Sequence, residues 1–348
     1  MSFATIDGAA PLRAVLAGAG KLGPYWAREL LASPATELVG WVDLDARRVR
    51  AEADALGLTG LGTDATLADV LERERPDFLV NVTAPAAHHP VTIAALQAGV
   101  AVLSEKPMAA TLPEAVEMIA AADGAGLLLA VSQNRRYLPG LIAFRDTVAR
   151  LGQLSSISCE FYRAHREEAA EFLFKFPHPL LLDMAIHLFD GARAITGTSP
   201  RTVFCDAYNP PWSWYAGAAA AHAVFEMSDG VRFSFDGNWA ADGFETSWTG
   251  SWRAVGELGT ATWDGEGAPR VEAGPGASIS ASVPVEVPLA EDRFFGLEAS
   301  LADFVAALRT GSLPAGECHD NVQSLAMCHA AVESADSGAR VPVAPVGR

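Results

Sequence analysis

A doubly wound α/β domain followed by an α+β domain is the fold this sequence predicts, on three observations. A glycine-spaced turn joins the first apolar strand to a helix. Short, uniformly apolar strand runs then alternate with helical runs as far as residue 131. Beyond residue 150 the pattern becomes strands of alternating polarity separated by hairpin turns. Strands apolar on both faces belong to a parallel sheet covered on both sides, whereas alternation marks a sheet with one face on a core. At 348 residues the chain exceeds one typical core. It divides into a tail over 1–12, a first domain over 13–135 and a second over 136–348.

Residues 13–17 form the first strand, and Gly18, Gly20 and Gly23 follow at G-x-G-x-x-G spacing before a helical run over 24–32. Gly18 allows the tight turn, and Gly20 has no Cβ to hold the backbone away from phosphates. Gly23 lets helix and strand pack closely. The helix N-terminus, reached through Lys21 and Leu22, offers N–H groups to an anion. A second strand over 38–42 ends at Asp43, twenty residues past Gly23, where a carboxylate can accept both hydrogen bonds of an adenosine ribose diol. Strand, motif, helix, strand and acid in this order predict a bound nicotinamide dinucleotide. Asp43 favours NAD, because a 2′-phosphate would meet its charge, while Arg47 and Arg48 are near enough to leave NADP open.

Helices over 46–56 and 64–71, a strand over 77–82, a helix over 89–98, a strand over 100–103, a helix over 113–122 and a strand over 127–131 complete the alternation. After Gln133-Asn134-Arg135-Arg136 the spacing predicts a helix over 141–150 and a one-sided strand over 155–162. A charged and aromatic stretch over 167–176 and a helix over 180–195 come next. Strands over 202–207, 220–227, 231–238 and 246–255 are punctuated by Ser228-Asp229-Gly230 and Glu257-Leu258-Gly259. The Gly-, Ala- and Ser-rich segment 265–282 reads as an exposed loop, and helices over 294–308 and 320–337 close the chain.

Composition narrows the function. A net charge of −17 repels phosphate backbones and anionic lipid, which argues against nucleic acid and membrane partners. Four scattered cysteines, without C-x-x-C spacing, read as buried or free thiols of a reducing compartment. The pairs Cys318-His319 and Cys328-His329 are held apart by an intervening helical run, so no metal site is read from them. The N-terminus carries no signal-peptide pattern and no segment has the length of an apolar membrane span, so the cytoplasm is the expected location.

Ligands of a doubly wound sheet bind at the carboxyl ends of its strands, and three loops there are unusual. Thr83-Ala84-Pro85 with His88 and His89 follows one strand, Glu105-Lys106-Pro107 the next, and Gln133 to Arg136 the last. Lys106, fixed by the following proline, could polarise a substrate oxygen or stabilise an alkoxide as hydride leaves; spacing alone equally allows a surface lysine. In LLLDMAIHLFD, Asp183 and His187 share a helical face. A histidine beside a carboxylate serves either as a general base or as a core histidine satisfied by its neighbour. Asp190 lies one turn beyond.

G-x-G-x-x-G with Asp43, T-x-P-x-x-x-H at Thr83, Pro85 and His89, E-K-P at Glu105 to Pro107, QNRRYLP at Gln133 to Pro139 and D-x-x-x-H at Asp183 and His187 together resemble the glucose-fructose oxidoreductase and inositol dehydrogenase (Gfo/Idh/MocA) family over nearly the whole chain. The resemblance implies an N-terminal Rossmann domain and an α+β C-terminal domain on a large, mainly antiparallel open sheet that commonly makes dimer or tetramer contacts. It implies NAD(P)-dependent hydride transfer at a secondary alcohol of a sugar or cyclitol, with no metal. Lys106 would hold the reacting oxygen, His187 would be the acid/base and Asp183 would orient it. Gly18, Gly20, Lys21, Leu22, Gly23, Asp43, Thr83, Pro85, His89, Glu105, Lys106 and Gln133 would contact cofactor. Arg136, Tyr162, His165, His178 and Trp214 are candidates to line the substrate pocket. The alternatives are a glycosidase using transient oxidation, as some relatives are, and a non-catalytic cofactor-binding sensor, against which the retention of Lys106, Asp183 and His187 argues.

Overall fold

The computed structural model describes residues 3–58, 61, 66–166, 174–275, 296–344 and 346. Expectations on 167–173, on 276–282 and at the starts of the helices expected over 64–71 and 294–308 lie outside them. Two compact units emerge: residues 3–134 with 296–322, and residues 135–275 with 323–346.

In the first unit, β1 (Leu12–Ala17), α1 (Gly23–Ala32), β2 (Thr36–Val42), α2 (Ala46–Ala55), α3 (Leu67–Glu74), β3 (Phe78–Asn81), α4 (Pro85–Gln97), β4 (Ala101–Ser104), α5 (Leu112–Ala125) and β5 (Leu129–Val131) alternate as expected. The five strands are all parallel in the order β2-β1-β3-β4-β5. Strand order reverses between β1 and β3, and the crevice outside their carboxyl ends is where such sheets take ligands. Every residue of β3, β4 and β5 is buried, as a sheet covered on both faces requires.

The units are not contiguous, which corrects the expected division at 135/136. Helix α8 (Leu297–Thr310) returns to the first unit because its apolar stripe, Leu297, Leu301, Phe304 and Leu308, completes the core around Trp26, Trp41 and Phe78. The rings of Phe78 and Phe304 lie 5.5 Å apart. The tail is tied down as well: Ala4 N donates to Gly126 O, Ile6 N donates to Leu308 O, and Phe3 and Ile6 pack on the same core.

The second unit holds α6 (Pro139–Val148), β6 (Leu154–Tyr162), a π-helical turn (Leu180–Met184) leading into α7 (Ala185–Thr196), β7 (Pro200–Tyr208), β8 (Ala220–Met227), β9 (Arg232–Asn238), β10 (Ser251–Gly256), β11 (Gly259–Trp263), β12 (Arg270–Ala273) and β13 (Val341–Pro342). Helix α9 (Cys318–Ser337) begins in the first unit and ends in this one. The sheet runs β12-β11-β10-β6-β9-β8-β7-β13, antiparallel except for the β6/β9 pair. Alternation sends Ile157, Cys159 and Phe161 inward, and Phe189 of α7 packs edge-on against Phe225, Phe233 and Phe235. The other face is left partly open, exposing Phe204, Tyr208 and Val224. Three strands were not expected: the two-residue β13 beside β7 at one edge, and β11 and β12 at the other. β11 and β12 extend the edge through segments read as turn and loop, because an edge strand such as β12 is held by its backbone ladder and buries almost no side chain.

Candidate functional site

Within the first unit the glycines behave as the motif requires. Gly18 has φ +112°, and a Cβ there would lie 2.6 Å from Val82 O. A Cβ on Gly23 would lie 2.6 Å from Gly18 O, so helix and turn touch backbone to backbone. Gly20 differs: nothing lies within 4 Å of the space its Cβ would take. That open space beside the start of α1, whose N-cap Leu22 makes no side-chain cap, fits a phosphate approaching the backbone. Trp41 closes the turn from below by donating its indole N–H to Gly18 O at 2.9 Å.

Asp43 is already at work before any ribose arrives. Oδ2 accepts from Ala19 N at 2.7 Å and Oδ1 from Asp45 N at 2.9 Å, tying the end of β2 to the glycine turn. Each carboxylate oxygen keeps a further acceptor site, so the arrangement remains fit for a diol.

The loops after β3 and β4 are joined by residues that sequence reasoning underrated. Asn81, fully buried at the end of β3, receives the Thr83 hydroxyl at 2.7 Å and donates to His88 O at 3.0 Å. The His88 ring bridges Pro107 O (2.6 Å, Nδ1) and Thr83 O (3.0 Å, Nε2). Burial lowers the His88 pKa, and the nearby Lys106 ammonium adds to that against the pull of the two carbonyls. A polar residue closing an otherwise apolar strand was the available signal for Asn81. His89 was expected at the cofactor, yet its Nε2 meets Glu117 of α5 at 2.9 Å. The cause is the earlier start of α4, at Pro85: about 100° of helix rotation separates His89 from His88.

Glu105 is buried, accepting the Trp26 indole N–H at 2.9 Å and Lys106 N at 3.1 Å. Burial raises its pKa, with the Trp26 bond and the Lys106 charge opposing. It therefore clamps α1 to the loop that carries Lys106, whose peptide bond to Pro107 is cis. Gln133, one per cent exposed, has no hydrogen-bond partner for Nε2 among the described residues, a donor fit for a ligand amide or phosphate.

In the second unit Asp183 lies on the π turn and His187 on the first turn of α7, and such a turn inside a helix is frequent at functional sites. Asp183 is half-buried and His187 nearly buried. The Asp183 charge reaches Arg135 and Tyr215: burial pulls Arg135 down while Asp183 pulls it back, and burial with Asp183 pushes Tyr215 up to about 12. Arg135 also donates to Trp248 O and to Met184 Sδ.

All five expected pocket residues have partners elsewhere in the unit. Arg136 is locked to Asp190 by two 2.7 Å bonds. Ser324 donates to the same Asp190 Oδ1 and accepts from Arg193. His178 Nε2 meets Asp336 at 3.0 Å. Tyr162 follows the inward Phe161, so alternation turns it to the open face that also carries Asp236, which pairs with His222 at 2.9 Å; burial first, then Asp236, raises the Tyr162 pKa. His165 and Trp214 belong to an aromatic cluster: His165 stacks on Trp239 at 5.2 Å, and its carbonyl accepts from Trp214 and Tyr215.

Comparison with known proteins agrees with this architecture. Residues 12–133 match the family model described as oxidoreductase family, NAD-binding Rossmann fold, and residues 146–262 match that of the GFO/IDH/MocA C-terminal domain. The chain is 29% identical to D-apiose dehydrogenase of Paraburkholderia graminis, over 88% of this chain and 82% of the relative. It is 27% identical to inositol 2-dehydrogenase 4 of Saccharopolyspora erythraea, over 97% of each. The structure of an Agrobacterium radiobacter oxidoreductase, solved with NAD+, L-tartaric acid and magnesium, superimposes with a TM-score of 0.85 over 95% of this chain and 98% of that one at 21% identity. With both halves matched in order on a parallel sheet followed by a mainly antiparallel one, the chain belongs to the Gfo/Idh/MocA family of oxidoreductases.

Proposed function

We propose that this protein is an NAD-dependent dehydrogenase of a secondary alcohol in a sugar or cyclitol. The observation that carries the reading is the gathering of Gly18, Asn81 with Thr83, Lys106 and Gln133 at the carboxyl ends of β1, β3, β4 and β5, on either side of the strand-order reversal. The names of the relatives, an apiose and an inositol dehydrogenase, supply the substrate class.

Gly18, Gly20, Lys21, Leu22 and Gly23 would hold the pyrophosphate, Asp43 the adenosine ribose, and Thr83, Pro85, Glu105, Lys106 and Gln133 the remainder of NAD. When bound, the nicotinamide supplies the hydride acceptor. The Lys106 ammonium stabilises negative charge on the reacting oxygen, which lowers the cost of removing its proton. His187 accepts that proton, and Asp183 fixes the imidazole that receives it. Glu105 keeps Lys106 in place by holding its backbone N–H.

We further propose that the protein works in the cytoplasm as a homodimer or homotetramer joined through the open sheet face. Four free, buried cysteines and the exposed Phe204, Tyr208 and Val224 support that reading. Among the described residues no helix is long and apolar enough to cross a membrane.

The test is nicotinamide absorbance with NAD or NADP and a panel of inositols, aldoses and glycosides. Net reduction by the wild type, and reduction slowed at least about 100-fold in Lys106→Ala, is the expected outcome. Released aglycone without net reduced cofactor would replace this reading with a glycosidase, and tight cofactor binding without turnover would replace it with a sensor.

A further inference from the structure

Away from the candidate site, Glu317, Cys318 and His319 turn their donor atoms toward one another at the start of α9. Cys318 Sγ lies 3.1 Å from Glu317 Oε1 and 3.4 Å from His319 Nδ1, and Oε1 lies 2.6 Å from Nδ1. All three donor atoms fall within 4.8 Å of one another. We propose that these residues form a binding site for a soft divalent transition ion of the zinc type, with Cys318 Sγ, His319 Nδ1 and Glu317 Oε1 as ligands.

The donor chemistry is the first argument. Thiolate, imidazole and carboxylate are the ligand types zinc takes, at about 2.0–2.3 Å, and three protein ligands leave a fourth position for water. Donors around such an ion stand between three and four ångströms apart, roughly the present Sγ separations. The surroundings are the second. His319 Nε2 meets Asp123 Oδ2 of α5 at 3.2 Å, so a carboxylate holds the ring nitrogen that faces away from the cluster. That is the outer partner which fixes tautomer and orientation in metal-bound histidines.

Rigidity is the third. Gly316 O accepts from Val131 N at 2.8 Å, and Glu317 bridges to Ala130, so the chain entering the cluster lies along β5. Glu317 Oε2 accepts from His319 N at 3.0 Å, which leaves Oε1 for the cluster. Cys318 is 2% exposed, and the Glu317 and His319 side chains are each 14% exposed. Without metal, the cluster is held by protons, with the ring between two carboxylates. Binding releases the thiol proton and the Nδ1 proton to solvent and sets the cation between the same donors. The ion would pin α9 to the strand end that leads to Gln133.

The probe is cobalt(II), added to reduced, chelator-treated full-length protein. One equivalent should bind with a near-ultraviolet thiolate-to-cobalt charge-transfer band, zinc should displace it, and C318S should abolish it. C328S, which alters the other Cys-His pair, should keep it. Asp123 is half-exposed on its helix, so Asp123→Asn keeps the fold and should weaken cobalt binding by about tenfold or more. A wild-type protein without the band, a band that survives C318S, or unchanged affinity in Asp123→Asn would overturn the assignment.

Discussion

Arg136 and Asp190 form a two-pronged ion pair, Nε to Oδ2 and Nη2 to Oδ1, both at 2.7 Å. The Asp190 side chain is 3% exposed and Arg136 is 13% exposed, so neither charge is well hydrated. Bidentate geometry and the further bond from Ser324 supply what water would have given. Arg136→Ala therefore leaves a carboxylate buried with Ser324 and the more distant Arg193, at a cost of about 3–5 kcal/mol. Urea unfolding should record it. Arg136→Lys should recover only part, because an ammonium cannot reproduce the fork.

The two glycines of the turn should separate stability from cofactor binding. Gly18→Ala forces a side chain into a left-handed backbone and against Val82 O, costing about 1–3 kcal/mol along with NAD affinity. Gly20→Ala meets nothing in the protein and should change stability by no more than about 0.5 kcal/mol. It should still weaken NAD by about tenfold or more, roughly 1.4 kcal/mol, by filling the phosphate's approach. Thermal melting and NAD titration on the same samples decide this.

His88 gives the first unit a pH dependence of definite sign. Its folded pKa is lowered from 6.5, chiefly by burial, so below that value the unfolded chain binds the proton more readily. Its contribution is therefore intact above 6.5 and is lost as pH falls toward the depressed folded pKa. Denaturant midpoints should drop as pH falls below 6.5, and His88→Gln should flatten that part of the fall.

Much of this was legible in the sequence, for identifiable reasons. The glycine turn and the wholly apolar strands are local signals, and the structure carries them where the spacing put them. Long-range relationships were not legible. Nothing in Leu301 or Phe304 says which core they complete, and Arg136 gives no hint that Asp190, 54 residues on, would claim it. His88 and His89 are adjacent, so their exchange turned on where α4 begins, and helix boundaries are the least local feature of all. The convergence of Glu317, Cys318 and His319 depends on rotamers and on Asp123, which no sequence spacing encodes.

Lys106 and His187 should have separable effects on turnover. Lys106→Ala should lower kcat by about 100- to 1000-fold, the usual loss on removing a donor at a developing oxyanion, with NAD affinity changed far less. His187→Asn should lower kcat by about 100- to 10,000-fold and remove the limb of the pH–rate profile that a general base provides. Steady-state kinetics across pH, with NAD binding measured separately, distinguishes loss of chemistry from loss of cofactor.

Deuterium transfer is the most direct measurement of all. With an alcohol from the reactive panel carrying deuterium on its carbinol carbon, mass spectrometry of the cofactor should find the label in reduced NAD, stoichiometric with ketone, and both products should form about 100- to 1000-fold more slowly with Lys106→Ala. Ketone accompanied by unlabelled cofactor, or labelled product formed equally well by Lys106→Ala, would contradict the account.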